Sequence, residues 1–325
     1  MPITYRLHEV DDLTGIQKLW METAGWGKIS DAMWQHYFVD APYGEPTVVV
    51  ATDDAGEIFG EFVFIPAMVF IRGRTVRAFR PGAPIVSRTA PKGKFSLNPL
   101  DHPAARMYLF GLDALRARGD ALLYMMPDPH WVPFLRLVPG LQTGKFPLFS
   151  MPLPLERPMI LGDGYVTGPL ERWDERVDAL WNKFSRLHSC QIVRDARSLS
   201  WRIDTGQYTI TAVERAGELV GLVASRHKGD RQWLVCELLV ADDGDSLGAA
   251  LTAACGVAHA RALADTSDRP IHKISVLATT VMEPVVRGLG FVRDRYDFPF
   301  FVHLLDKSID PADIAPASWF LSPND

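Results

Sequence analysis

The stretch TAPKGKFSLNPLDHP, residues 89–103, gathers the groups that hold phosphate. Gly93 lets a ligand approach the backbone, Lys92 and Lys94 supply positive charge, and Asn98 and His102 are polar neighbours. Pro91, Pro99 and Pro103 work against that use, because each removes a backbone donor and stiffens the loop. From Arg72 to Lys94 the chain carries seven cations (Arg72, Arg74, Arg77, Arg80, Arg88, Lys92 and Lys94) and no acid. In a chain of net charge −5 that run admits three readings. It is a basic hairpin that discourages edge pairing, a pocket for a phosphorylated ligand, or a nucleic-acid surface.

Asp128 and His130 follow the apolar run ALLYMM, at the end of a strand where substrate-facing groups collect. Capping of a turn by the Asp, with a surface His, is the plain alternative. Glu237 stands inside WLVCELLVAD, an otherwise apolar strand, so its carboxylate is paired or lines a cavity. Arg194 and Arg202 are its candidate partners. The loop ADDGDSLGAAL (241–251) has the glycines of an anion site, yet Asp242, Asp243 and Asp245 stand where the anion would lie. It reads as a helix cap with Ser246 as the capping residue. The histidines lack metal-ligand spacing, and Cys190, Cys236 and Cys255 form no CxxC, so no metal is expected.

The elements that position these groups come from an internal repeat. TVVVATDDAGEIFGEFVF (47–64) matches YTITAVERAGELVGLVAS (208–225), with Ala55, Gly56, Glu57 and Gly60 falling on Ala216, Gly217, Glu218 and Gly221. Each copy reads as a β-hairpin with a glycine in its turn. DAMWQHYFVD (31–40) parallels DARSLSWRID (195–204), and an amphipathic helix precedes each. That helix is clear in WDERVDALWNKFSRLH and weaker in DDLTGIQKLWMET. Buried strands ALLYMM and IHKISVLA, short helices and the closing strands FPLFSMPL and FPFFVHLL complete the match. LERPMILGDGYVTGP has no period and reads as a linker. The expected fold class is α+β, with a mixed, mostly antiparallel sheet flanked by helices in each half. The expected domains are 1–154 and 171–307, with a linker at 155–170 and a polar tail at 308–325 anchored by Trp319-Phe320.

Composition agrees with a globular protein: 47% of residues are hydrophobic and 22% charged, enough for sizeable cores in two domains. The start lacks a signal-peptide layout, and no apolar run approaches a membrane span of about 20 residues. A cytoplasmic protein without a membrane partner is the expectation.

The order of elements, repeated across about 3–307, resembles the GNAT (Gcn5-related N-acetyltransferase) superfamily, with two units in tandem. The resemblance rests on the strand–AGE–strand hairpin, RDARSLSWR, MPDPHWVPFLRLVPGL and VVRGLGFV. It implies an acyl-CoA, acetyl-CoA in the first instance, with its pantetheine arm in a split between strands and its pyrophosphate on a helix N-terminus. In the first half that position is 89–103, where only fragments of the family's phosphate signature stand. The resemblance assigns donor binding to Ile85, Val86, Ser87, Arg88, Lys92, Gly93, Lys94 and Asn98, with backbone N–H groups of 85–87 as oxyanion donors. It makes Glu61 a candidate catalytic carboxylate, with a salt-bridged strand acid as the alternative, beside Asp128, His130 and Glu237. Tyr124 is a candidate thiolate acid, against a core tyrosine.

The expected activity is acyl transfer from CoA to the amine of a small metabolite or amino sugar, with the donor in the N-terminal half. The alternatives are an aminoacyl-tRNA or acyl carrier protein donor, or a degenerate binding protein. Nucleic acid is not otherwise an expected partner.

Overall fold

The computed structural model describes residues 3–23, 29–82, 84–88, 98–229 and 231–325. The chain forms two compact units. Unit one holds 1–68, 76–142 and 301–311; unit two holds 69–75, 143–300 and 312–325.

In unit one the strands run in the order Thr4–Leu7, Thr47–Thr52, Ile58–Ile71, Arg74–Pro81, Leu122–Met125 and the end of Val292–Leu304. Thr47–Thr52 and Ile58–Ile71 make the expected hairpin, turning through Gly56 at φ +81°. Arg74–Pro81 and Leu122–Met125 are parallel, and the helix Pro103–Arg118 makes the crossover such a pair requires. Alternation along the hairpin sends Phe62 and Phe64 to one face, where they pack with Met107, Tyr108 and Leu112 of that helix. Val48, Val50 and Val63 go to the other face, against Ile16, Ile29 and Trp34.

In unit two the order is the first part of Val292–Leu304, then Leu141–Pro152, Lys273–Leu277, Gln232–Val240, Glu218–Lys228, Thr209–Arg215 and Tyr165–Pro169. Its hairpin repeats the first, including a register shift beside the matched glycine: after Ala51, which pairs with Gly60, in one copy and after Val213, which pairs with Gly221, in the other. The matched glycines have a matched cause. A Cβ on Gly60 would lie 3.1 Å from Ala51 Cβ and Met107 Cε, and one on Gly221 would lie 3.3 Å from Val213 Cβ and Ala250 Cβ. In both copies the crossover helix presses on the hairpin where the glycine stands.

Several features depart from the sequence reading. Tyr165–Pro169 lies in the presumed linker, yet it pairs with Thr209–Arg215 as an edge strand. Thr4–Leu7 is its counterpart in unit one. Both are half-exposed and only four or five residues long, too short to show a period. Residues 143–152, from the first half of the repeat, lie in unit two, and 301–311, from the second half, lie in unit one. The two closing strands are alike in sequence, so each satisfies the sheet edge that the other would fill. The tail does hold by its aromatic anchor, but more of it is tied down than a polar extension would be: Trp319, Phe320 and Leu321 are buried, and Trp319–Phe320 pairs with Cys190–Ile192.

The helix Asp245–Ala264 is long and apolar enough by composition to cross a membrane, although no single run in the sequence suggests one. Half of it is buried inside the fold, where Leu247, Ala250, Leu251, Ala254 and Cys255 face the core. Such burial belongs to a core helix.

Candidate functional site

Glu61 is the most unusual side chain of unit one. It follows Gly60 on Ile58–Ile71, is fully buried, and is flanked across the sheet by Val50 and Ile85. The expected cation partner is absent among the described residues. Trp20, on the helix Leu13–Thr23, instead donates its indole N–H to Glu61 Oε2 at 2.6 Å. Glu61 Oε1 has no hydrogen-bond partner among the described residues. Burial pushes the carboxyl from 4.5 up to about 7, and the Trp20 hydrogen bond offsets only part of that rise. A carboxyl poised near neutrality exchanges a proton readily at physiological pH.

Beside Glu61 two strands diverge. Arg74–Pro81 pairs with Leu122–Met125 at Ala78–Leu122 and Phe79–Leu123, whereas Ile85–Val86 pairs with Ile58–Ile71. Gly82 N–H bonds Val63 O at 2.7 Å, and Ser87 N–H bonds Phe59 O at 2.8 Å. Ser87 N–H is thereby committed to the ladder. Antiparallel alternation commits Ile85, opposite Glu61, in the same way. Val86 N–H points to the other side, away from the hairpin, and it alone of the three expected oxyanion donors is turned out of that ladder.

Downstream, the described residues Asn98 and His102 serve as caps. Asn98 Oδ1 accepts from Leu100 N–H at 3.1 Å and caps the turn Pro99–Asp101. His102 caps the helix Pro103–Arg118, its Nδ1 accepting from Ala104 N–H at 3.2 Å. Arg88 is exposed. Lys92, Gly93 and Lys94 lie outside the described residues. Among the described cations of the basic run, Arg72 pairs with Asp313, and Arg77 lies 3.5 Å from Asp120.

Asp128 and His130 are about two-thirds exposed, at 66% and 67%. Asp128 Oδ1 accepts from His130 N–H at 3.1 Å and lies 2.6 Å from its Nδ1, capping the turn Pro129–Trp131. The two hydrogen bonds from His130 hold Asp128 below its usual range. The pair satisfies itself, as the plain alternative expects. Tyr124 is buried on its strand.

In unit two Glu237 is fully buried, and both its oxygens are taken. Arg194 Nε donates to Oε1 at 2.8 Å and Arg202 Nη2 to Oε2 at 2.6 Å. Asp325 closes the network through the same two arginines. Neither oxygen of Glu237 is left to contact an amine. At the start of Asp245–Ala264 the cap is Asp242 and not Ser246. Its Oδ1 accepts from Gly244 N–H at 2.9 Å and Ser246 N–H at 3.1 Å, while Ser246 Oγ donates to Oδ2. The protein's own carboxylate thus occupies the anion position of that helix.

Trp20 escaped the sequence reading. It lies 41 residues from Glu61, and nothing in a weak amphipathic helix marks one tryptophan as a donor to a strand carboxylate.

No protein-family model and no curated protein matches the sequence. Solved structures do match. A GCN5-related N-acetyltransferase from Anabaena variabilis has a TM-score of 0.67 at 9% identity, covering 94% of this chain and 73% of the other. One from Kribbella flavida has a TM-score of 0.62 at 13% identity, covering 94% and 72%. Eis1 from Mycobacterium abscessus has a TM-score of 0.58 at 11% identity, covering 94% and 74%.

Proposed function

We propose that this chain, which has the fold of the GCN5-related N-acetyltransferases, is an acyl-CoA-dependent N-acyltransferase with its donor in unit one and Glu61 as general base. The acceptor would be the amine of a small metabolite or amino sugar, and acetyl the transferred group. The observation that carries this reading is Glu61 itself: a buried carboxyl with a pKa of about 7, one oxygen without a partner among the described residues, beside a strand whose Val86 N–H is turned out of the ladder with the hairpin.

Acyl transfer from a thioester needs those groups. Glu61 takes the proton of the attacking ammonium, releasing the lone pair that forms the new N–C bond. Val86 N–H stabilises the negative charge that develops on the carbonyl oxygen. The C–S bond then breaks, and the thiolate leaves with a proton returned through the site. Trp20 holds the carboxylate in one orientation, so its second oxygen stays aimed at the acceptor. The N-acetyltransferase names of the structural neighbours support the same reaction class.

The test is calorimetric titration of acetyl-CoA, CoA and a bulk tRNA pool, followed by acetyl-CoA turnover with an amine panel. Acetyl-CoA binding, with thiol release lost in Glu61→Gln, is the expected result. Salt-sensitive tRNA binding without CoA binding would replace the donor by an aminoacyl-tRNA, and binding of neither would remove the enzyme reading.

A further inference from the structure

His188 follows the helix Glu175–Phe184 in unit two, and its side chain is only 5% exposed. Its ring stacks on Phe320, with centroids 4.8 Å apart, and meets Phe184 edge-on at 5.0 Å. Those contacts fix the imidazole with Nε2 turned toward the start of the helix Asp245–Ala264, where Asp243 Oδ1 lies 3.6 Å away. Nε2 is buried and has no hydrogen-bond partner among the described residues.

A separation of 3.6 Å is too long for a hydrogen bond. It is close to the separation of two ligands on one metal ion. With metal–nitrogen and metal–oxygen bonds of about 2.0–2.2 Å, a tetrahedral site sets its nitrogen and oxygen about 3.4 Å apart. A water bridging at the same angle would hold them about 4.6 Å apart. Charge agrees with a cation. Asp242, Asp243 and Asp245 outweigh the half charge of the helix end. Asp242 is committed to the cap, and Asp245 is exposed and lies 4.0 Å from Arg215. Asp243 is partly exposed, and among the described residues no lysine or arginine pairs with it. Arg194, over the Phe320 ring, is already paired with Glu237 and Asp325.

We propose that His188 Nε2 and Asp243 Oδ1 are two ligands of a divalent cation of the zinc class, held between the end of Glu175–Phe184 and the start of Asp245–Ala264. One imidazole and one carboxylate suit zinc, whereas magnesium and calcium take oxygen ligands throughout. Among the described residues no group of three His, Cys, Asp or Glu side chains comes together. Water therefore fills the remaining positions on the exposed side of Asp243, and the site is open and exchangeable rather than closed. The two ligands lie far apart in the chain, so no spacing in the sequence signals them. The proposal stands on unit two alone and is independent of the acyltransferase reading.

The experiment titrates zinc into the full chain against a chromophoric chelator. It is repeated with cobalt, whose visible absorption reports four-coordinate, tetrahedral geometry. Binding of zinc that a large excess of magnesium does not displace is the expected result. Asp243→Asn and His188→Gln should each weaken it roughly tenfold or more. Asp245→Asn, on the exposed neighbour, should leave it within roughly twofold. Near-ultraviolet circular dichroism checks that each variant folds, and Asp243→Asn decides alone where the buried His188→Gln does not. No zinc binding by the wild type, or equal binding by the wild type and Asp243→Asn, overturns the site. Equal weakening in Asp243→Asn and Asp245→Asn reveals a diffuse attraction to the acidic loop and overturns it as well. Magnesium competing on equal terms with zinc overturns the metal class.

Discussion

Trp20 donates its indole N–H to Glu61 at 2.6 Å, and among the described residues it is the one hydrogen-bond donor to this carboxylate, which has no exposed surface. A group so placed is costly to charge and correspondingly ready to exchange a proton near neutrality.

Activity should therefore follow the ionisation of Glu61. kcat/KM is expected to rise with pH through about 7, as the carboxyl loses its proton and becomes a competent base. Glu61→Gln should lower kcat by roughly 10²- to 10⁴-fold and flatten that limb. Trp20→Phe removes the hydrogen bond that favours the charged form, so its limb should move to higher pH. A pH–rate series on the three proteins checks this, and an unshifted profile in Trp20→Phe would separate the limb from Glu61.

Stability should carry the same signature with a definite sign. The folded-state pKa lies above the unfolded one, so the folded protein binds more protons between pH 4.5 and about 7 and loses stability as pH rises through that window. The full loss is on the order of 3 kcal/mol for a shift of this size. Glu61→Gln does not titrate. Urea unfolding at pH 5 and pH 8 should therefore show the variant gaining on the wild type at the higher pH.

Asp128 and His130 should behave as a turn cap. Asp128→Ala is expected to cost about 1 kcal/mol of stability. His130→Ala should leave kcat/KM within roughly twofold, as expected for exposed substitutions. A fall in kcat with unchanged stability in either variant would return them to the catalytic set.

The buried network of unit two should be sensitive to losing one partner. Arg194→Met leaves Glu237 and Asp325 sharing a single arginine, and a loss of about 3–5 kcal/mol is expected in chemical denaturation. Acetyl-CoA binding to unit one should be spared wherever the chain still folds.

The repeated glycines offer a paired test of the fold. Gly60→Ala and Gly221→Ala each push a methyl against a crossover helix, and each should cost about 1–3 kcal/mol. Each also meets a Cβ of its paired strand, Ala51 at 3.1 Å for Gly60 and Val213 at 3.3 Å for Gly221, so the two costs should be of similar size.

Much of the fold was legible because its signals are local. The hairpins, the amphipathic helix around Trp181 and the buried strands around Leu123 and Ile274 announce themselves through turn glycines and period. The short edge strands at Thr4–Leu7 and Tyr165–Pro169 did not, since four or five half-exposed residues carry no pattern. Glu61 was legible as a carboxylate after Gly60, but its environment was not. Whether a strand acid meets a cation or an indole depends on which helix packs over it.

The sequence by itself determined the repeat, the α+β class and the list of acids and cations available for chemistry, because composition, turn residues and periodicity are written residue by residue. Only the tertiary structure decided how they are spent. It buried Glu61 beside Trp20 and turned Val86 N–H out of the hairpin ladder. It closed Asp128 on His130, paired Glu237 with two arginines, and tied Asp325 to the same two. Desolvation and ion pairing are set by what packs around a group, and those neighbours lie far along the chain: 41 residues for Glu61 and Trp20, 131 for Arg194 and Asp325.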